Sequence, residues 1–109
     1  MIKVESTIPS AVDAARVAEL FQAMSDPSRV RILLALLQGE VNVGAIAEKV
    51  GISESAVSHQ LRGLRQLRIV SARKDGRSVF YSLDDDHVVS LLTMGLEHVG
   101  HSISVQCGP

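Results

Sequence analysis

The chain has 109 residues, 46% of them hydrophobic and 21% charged, and its eleven Lys and Arg against twelve Asp and Glu leave a formal charge of −1. A chain of this length makes one domain that hides roughly 60–70% of its unfolded surface, and its apolar content excludes wholesale disorder. The near-zero charge gives no overall sign of a nucleic-acid partner, and with Phe21, Phe80 and Tyr81 as the only aromatic residues a surface that stacks single-stranded bases is not expected.

Residues 1–10 read as a loose N-terminal arm: the stretch holds Glu5 and Pro9 and has no apolar core of the kind a secretory signal needs. A single domain is expected over residues 11–101, followed by a tail at 102–109. The longest strongly apolar stretch, Val30 to Leu37, is interrupted by Arg31 and falls far short of the ~20 residues of a membrane span. The single cysteine, Cys107, can form neither an internal disulfide nor a cysteine-rich metal site. A soluble, cytoplasmic protein is therefore expected.

In chain order, Ala14, Val17, Ala18, Phe21 and Met24 recur at helical spacing and predict a helix from Ala11 to about Met24. Asp26-Pro27 caps and opens a second helix, Pro27 to Leu37, apolar on most sides and so the buried centre; Gly39 stops it. A short helix from Val43 to Val50 turns Val43, Ile46, Ala47 and Val50 inward and closes on Gly51. Ser53 caps a fourth helix with Val57, Leu61 and Leu64 inward. Two helices joined around a glycine make either a plain helical hairpin or a helix-turn-helix.

The segment C-terminal to this pair favours the helix-turn-helix. Ile69 to Lys74 and Ser78 to Leu83 are β-prone runs flanking Asp75-Gly76-Arg77, a hairpin signal, and a last helix starts at Asp84 and runs to about Val99 or His101. The order α-α-α-α-β-β-α, mostly helical with a small hairpin wing, is that of a winged helix-turn-helix. Charge obeys the same division. From Arg62 to Arg77 there are six basic residues and one acid, a local +5, whereas the rest of the chain carries −6. The basic segment covers the end of the recognition-type helix and the wing, where the phosphates of a duplex would lie. Ser55, Ser58, His59 and Arg62 lie away from the apolar stripe and are the candidates to reach bases, with Arg65, Arg73, Lys74 and Arg77 as phosphate contacts.

All but one of the four histidines lie in the last helix, behind Asp84-Asp85-Asp86. His87 and His98 share a face within about 20° but stand about 16 Å apart along the axis, too far to hold one ion within a single helix. The stripe His87, Leu91, Met94, His98, His101 has the 4-3-4-3 spacing of a coiled-coil seam. Two copies packed antiparallel about a twofold axis near Leu92 and Thr93 would bring Asp85 and His87 of one chain to His98 and His101 of the other, giving two equal sites of one carboxylate and three imidazoles. That donor set suits Zn²⁺ or Co²⁺, whereas Ni²⁺ would draw further ligands. Acids in a first turn also favour the helix dipole, and a histidine can serve structure alone; both readings stand beside the metal site.

These residues resemble the ArsR/SmtB family of winged-helix metal-sensing repressors over about residues 12–101. The resemblance rests on Leu20-Phe21-Gln22-Ala23-Met24-Ser25-Asp26-Pro27-Ser28-Arg29, on Ser55-Ala56-Val57-Ser58-His59-Gln60-Leu61-Arg62, and on Gly76-Arg77 with Tyr81-Ser82-Leu83. It implies a homodimer, joined through its terminal helices, that binds an inverted-repeat operator and is released by metal. Its last-helix pattern Asp-x-His…His-x-x-(Glu/His) matches Asp85, His87, His98 and His101. His101, where zinc sensors of the family often carry Glu, is similar to the nickel/cobalt branch, but the N-terminal arm has none of the histidines that supply that branch's extra ligands. Zn²⁺ is thus expected, with Ni²⁺ or Co²⁺ as alternatives. The family's soft-metal Cys-x-Cys is absent, its place being taken by Val41-Asn42-Val43. The rival readings are a winged-helix regulator with another signal, such as oxidation of Cys107, and a metal-assisted hydrolase. Four protein ligands leave the latter no open coordination position.

Overall fold

A computed structural model describes residues 8–100. Most of the expected N-terminal arm (1–10) and all of the C-terminal tail (102–109), together with His101 and Cys107, lie outside the described residues. Within them the elements are α1 (Ala11–Ala23), α2 (Pro27–Leu34), β1 (Val41–Asn42), α3 (Val43–Val50), α4 (Glu54–Gln66), β2 (Val70–Asp75), β3 (Ser78–Leu83) and α5 (Asp86–His98). This is the expected winged helix-turn-helix with one strand more: β1 joins the hairpin to make an antiparallel sheet in the order β1-β3-β2. Val41 pairs with Tyr81 and Asn42 with Phe80, so the segment entering α3 is sewn to the wing.

Local chemistry accounts for the helix starts. Ser10, Asp26, Asn42, Ser53 and Asp85 each sit in extended backbone and accept a backbone N–H from the first turn of the adjoining helix. Two ends differ from expectation. Helix α2 stops at Leu34, not Leu37, because the chain tightens into bonds from Leu36 to Leu33, Leu37 to Leu34 and Gly39 to Leu36, each spanning three residues. Helix α5 starts at Asp86, not Asp84, because Asp85 is its cap. Strand β2 is shifted by one residue from the expected Ile69–Lys74, so Asp75 is its last residue and Gly76-Arg77 alone form the loop. Gly76 takes φ +64 while Arg77 keeps a negative φ, the pattern of a type II′ hairpin turn.

The core forms where α2, α3, α4, the base of the wing and α5 meet. Ile32, Leu33, Ile46, Val57, Leu61 and Ile69 have no exposed surface, and Val88 and Leu92 fasten α5 to them. Arg31 Nη1 donates to the Val50 carbonyl at 2.9 Å, placing a cation and a donor at the C-terminus of α3. By contrast α1 touches this core mainly through Leu20, Ala23 and Met24. Val12, Val17 and Phe21 on α1, and Met94 on α5, remain more than half exposed. The periodicity that marks α1 as amphipathic is therefore not satisfied within one chain.

Helix α4 ends in a Schellman turn: Arg68 N–H donates to the Arg65 carbonyl and Ile69 N–H to the Leu64 carbonyl, both at 3.0 Å. Glycine is the usual residue at this left-handed position, but here Arg68 holds φ +60. Arg68→Gly should raise unfolding stability by about 1 kcal/mol by relieving that strain. Urea denaturation at fixed protein concentration checks this; a destabilised variant would show that the arginine side chain does more than occupy the turn.

Candidate nucleic-acid interface and metal centre

Helix α4 divides cleanly. Val57 and Leu61 are fully buried and Leu64 nearly so, and at about 100° per residue Ser55, His59 and Arg62 fall on the opposite side. Those three are exposed, as is Arg65 on the flank, and Ser58 is half-buried. The Ser53 hydroxyl accepts from Ala56 N–H at 3.0 Å, which confirms its capping place, and Glu54 and Ser55 follow as the first exposed residues of the recognition-type helix. Gln60, on the side of α4, reaches back to α2: its Nε2 donates to Ser28 Oγ at 3.4 Å, a weak tie that helps set the rotation of α4. A groove between α2 and α4 is lined by Arg29, His59, Gln60 and Arg62, so Arg29 adds a basic group beside the helix. Sequence reasoning missed it because Arg29 is far along the chain from the groove's other members; its Nη1 donates to the Ala23 carbonyl at 3.2 Å.

The wing carries the remaining basic candidates, and they differ in state. Lys74 and Arg77 are exposed at its tip. Arg73 forms a two-pronged bond with Glu40, Nε and Nη2 each 2.9 Å from a carboxylate oxygen. Its guanidinium also lies 5.0 Å from the centre of the Phe80 ring and 3.8 Å from Asp75. The Arg73 hydrogen bonds hold the Glu40 carboxyl below its ordinary value, and Glu40 in turn raises the Arg73 guanidinium further. Glu40 is not legible as a site residue in the sequence, since nothing in the pattern links it to a residue 33 positions on.

The metal candidates sit at the two ends of α5. Asp85 Oδ1 accepts from His87 N–H at 2.9 Å and Val88 N–H at 3.2 Å, while Oδ2 lies 3.3 Å from His87 Nδ1. The Val88 N–H above all, then the His87 ring, pulls the Asp85 carboxyl below the usual carboxylate range. The aspartate is thus both cap and neighbour to an imidazole. The His87 side chain is 94% exposed, and His98 is exposed at the far end of the helix. Among the described residues no three potential ligands of one chain gather around a point. The donor types fit a borderline dication, but only as half-sites.

Fold and surface together are those of winged-helix DNA-binding regulators: a polar face of α4 stands outward beside a basic wing. Residues 26–72 match the bacterial regulatory protein, arsR family. A transcriptional repressor SmtB homolog of Synechocystis is 44% identical over 100 residues, covering 92% of this chain and 76% of its own. A cadmium resistance transcriptional regulatory protein CadC homolog of Staphylococcus aureus is 43% identical over 83 residues, covering 75% of this chain and 69% of its own. Among solved structures, the homodimeric winged helix-turn-helix DNA-binding domain Mb0332 of Mycobacterium bovis superposes with a TM-score of 0.78 at 27% identity, covering 89% of this chain and 90% of its own. The chain belongs to the ArsR family of bacterial regulatory proteins. No helix among its described residues is long and apolar enough to cross a membrane.

Because its folded carboxyl is depressed, Glu40 contributes stability above its ordinary value of 4.5 and loses that contribution as pH falls through the lower folded value. A side-chain NMR titration should therefore give Glu40 a midpoint below 4.5 that rises in Arg73→Ala. An unchanged midpoint in the variant would remove Arg73 as the cause.

Proposed function

We propose that the chain is a cytoplasmic, homodimeric repressor that binds operator DNA through α4 and the wing and is released when a dication fills sites shared between the α5 helices of two protomers. One observation carries the metal part: Asp85 and His87 stand at one end of a helical stripe and His98 at the other, so among the described residues of one chain no set of three ligands forms, and a second chain can complete it. The uncovered apolar residues Val12, Val17, Phe21 and Met94 on the two terminal helices supply a reason for that chain to be present. A repressor among the relatives, another named for cadmium resistance and a homodimeric structural neighbour support the same reading.

In this arrangement Asp85 and His87 of one protomer would hold the ion together with the partner's His98 and the partner's His101. Three imidazole nitrogens and one carboxylate oxygen suit Zn²⁺, with Co²⁺ or Ni²⁺ as alternatives, and Val41-Asn42-Val43 offers no thiolates for a softer ion. A bound dication supplies a cross-link between two terminal helices. The attachments of those helices give the cross-link its effect. Val88 and Leu92 bind α5 to the core on which α4 also packs, so a change in the angle between two α5 helices changes the separation of two α4 helices. A dimeric regulator must match that separation to one turn of duplex, roughly 34 Å. Ser55, Ser58, His59 and Arg62 then present donors and acceptors to base edges, while Arg65, Lys74 and Arg77 meet phosphates.

The test is binding to a duplex recovered by the wild-type protein from a random-sequence pool, at fixed ionic strength, with Zn²⁺, Co²⁺ or Ni²⁺ added singly. At least one ion should weaken wild-type binding by roughly 5–150-fold, the usual span of allosteric coupling, and DNA should weaken metal binding by the same factor. His98→Ala should bind DNA normally and lose the response. No effect of any of the three ions would overturn metal release, and a response that survives in His98→Ala would move the signal elsewhere.

A further inference from the structure

The outer face of the three-stranded sheet carries a bridge that crosses all of it. By register, Arg73 of β2 stands opposite Phe80 of β3, and Phe80 stands opposite Asn42 of β1. The Arg73 side chain lies over the Phe80 ring and ends on Glu40, the residue immediately before β1. Next to this bridge Ser71 and Ser82 share a hydrogen bond at 3.2 Å across β2 and β3. Strand β1 has only two residues and runs without a break into α3, the first helix of the helix-turn-helix. The wing is thus tied to the helix pair at its outer edge by two backbone pairings and one charged side-chain bridge.

From this we infer that Arg73 is a positioning residue that braces the wing against β1 and α3 through Glu40, and that phosphate contact by the wing falls to Lys74 and Arg77. The inference rests on the DNA-binding reading above and assigns roles within it. A guanidinium offers five donors. In Arg73 the Nε and Nη2 edge is taken by both oxygens of Glu40, Nη1 faces Asp75 at 3.8 Å, and one flat side lies on Phe80. A DNA phosphate approaching it would have to displace one carboxylate beside another, and both repel it. Among the described residues the ion pairs involve neither Lys74, exposed near the end of β2, nor Arg77, exposed in the loop. The bridge also matters to them. Their reach to the backbone while α4 occupies the groove depends on the tilt of the hairpin, and phosphate contacts set that register.

Charge and geometry can be separated by experiment, because lysine keeps the charge of Arg73 but cannot form the two-pronged bond or lie flat on a ring. The measurement is the affinity of wild type, Arg73→Lys, Arg73→Ala, Lys74→Ala and Arg77→Ala for the pool-selected duplex over a series of salt concentrations. Each phosphate contact contributes a slope of about −0.9 in log affinity against log salt. Lys74→Ala and Arg77→Ala should each flatten the slope by about 0.9 per protomer. Arg73→Lys and Arg73→Ala should both keep the wild-type slope and bind about two- to fivefold more weakly, the reach of an exposed ion pair. The exchange Glu40→Arg with Arg73→Glu rebuilds the bridge in reverse and should restore affinity, whereas Arg73→Glu alone should not. The inference is overturned if Arg73→Lys binds like wild type while Arg73→Ala flattens the slope, or if the reversed pair fails to rescue. If Lys74→Ala and Arg77→Ala also leave the slope unchanged, the wing does not touch DNA and its part in the DNA-binding reading fails instead.

Discussion

Everything outward in this molecule depends on one inward contact, the burial of Val57, Leu61 and Leu64 of α4 against α2, α3 and the base of the wing. Three apolar side chains at helical spacing favour a single rotational setting of the helix, because a quarter turn would expose two of them and in one direction would bury Arg65. The same packing that hides the stripe therefore aims Ser55, His59 and Arg62 away from the core. Capping by Ser53 fixes where the helix begins, and the turn at Arg68 fixes where the chain leaves for β2. The proposed DNA-reading surface arises here as the remainder of a packing problem. Its polar residues need no contacts with one another to be held in place.

The charge distribution is a consequence of that arrangement. A chain of net −1 concentrates +5 between Arg62 and Arg77. The fold shows that this segment is not one uniform patch. Arg73 is engaged by Glu40 from outside the segment, so the free positive charge is shared between the α4 side and the wing tip. The acids of the α5 start are likewise occupied in part, Asp85 serving as cap to its own helix.

Much of this fold is legible in the sequence, for physical reasons that differ by element. Caps and left-handed glycines are local chemistry, so Asp26-Pro27, Ser53, Gly51 and the hairpin around Gly76 can be placed from neighbouring residues alone. The α4 stripe is periodic and reads in the same way. Strand β1 does not, because Val41-Asn42 is too short to carry a pattern and becomes a strand only by pairing with Tyr81 and Phe80. The Glu40–Arg73 bridge depends on that pairing and is hidden with it. The end of α2 differs from expectation because a run of apolar residues from Ala35 to Leu37 does not distinguish a helix from a tight turn at its end. The α1 pattern is legible and still misleads about burial: Val17 and Phe21 face outward, and periodicity cannot say whether the partner surface lies in the same chain.

The proposed metal site would depend on a second chain in the same way. Helical geometry puts His87 about 16 Å from His98, so these two side chains can meet at one ion only if two chains meet. Mixed dimers test this most directly. A protomer with His87→Ala and a protomer with His98→Ala, each carrying a different purification tag, are combined and the mixed dimer is isolated. Sites shared between chains leave this dimer one intact set, the His87 half from one protomer and the His98 half from the other. It should bind one Zn²⁺ per dimer by calorimetry while both parent homodimers bind none at the same affinity. A mixed dimer as silent as its parents would contradict a site built across two chains.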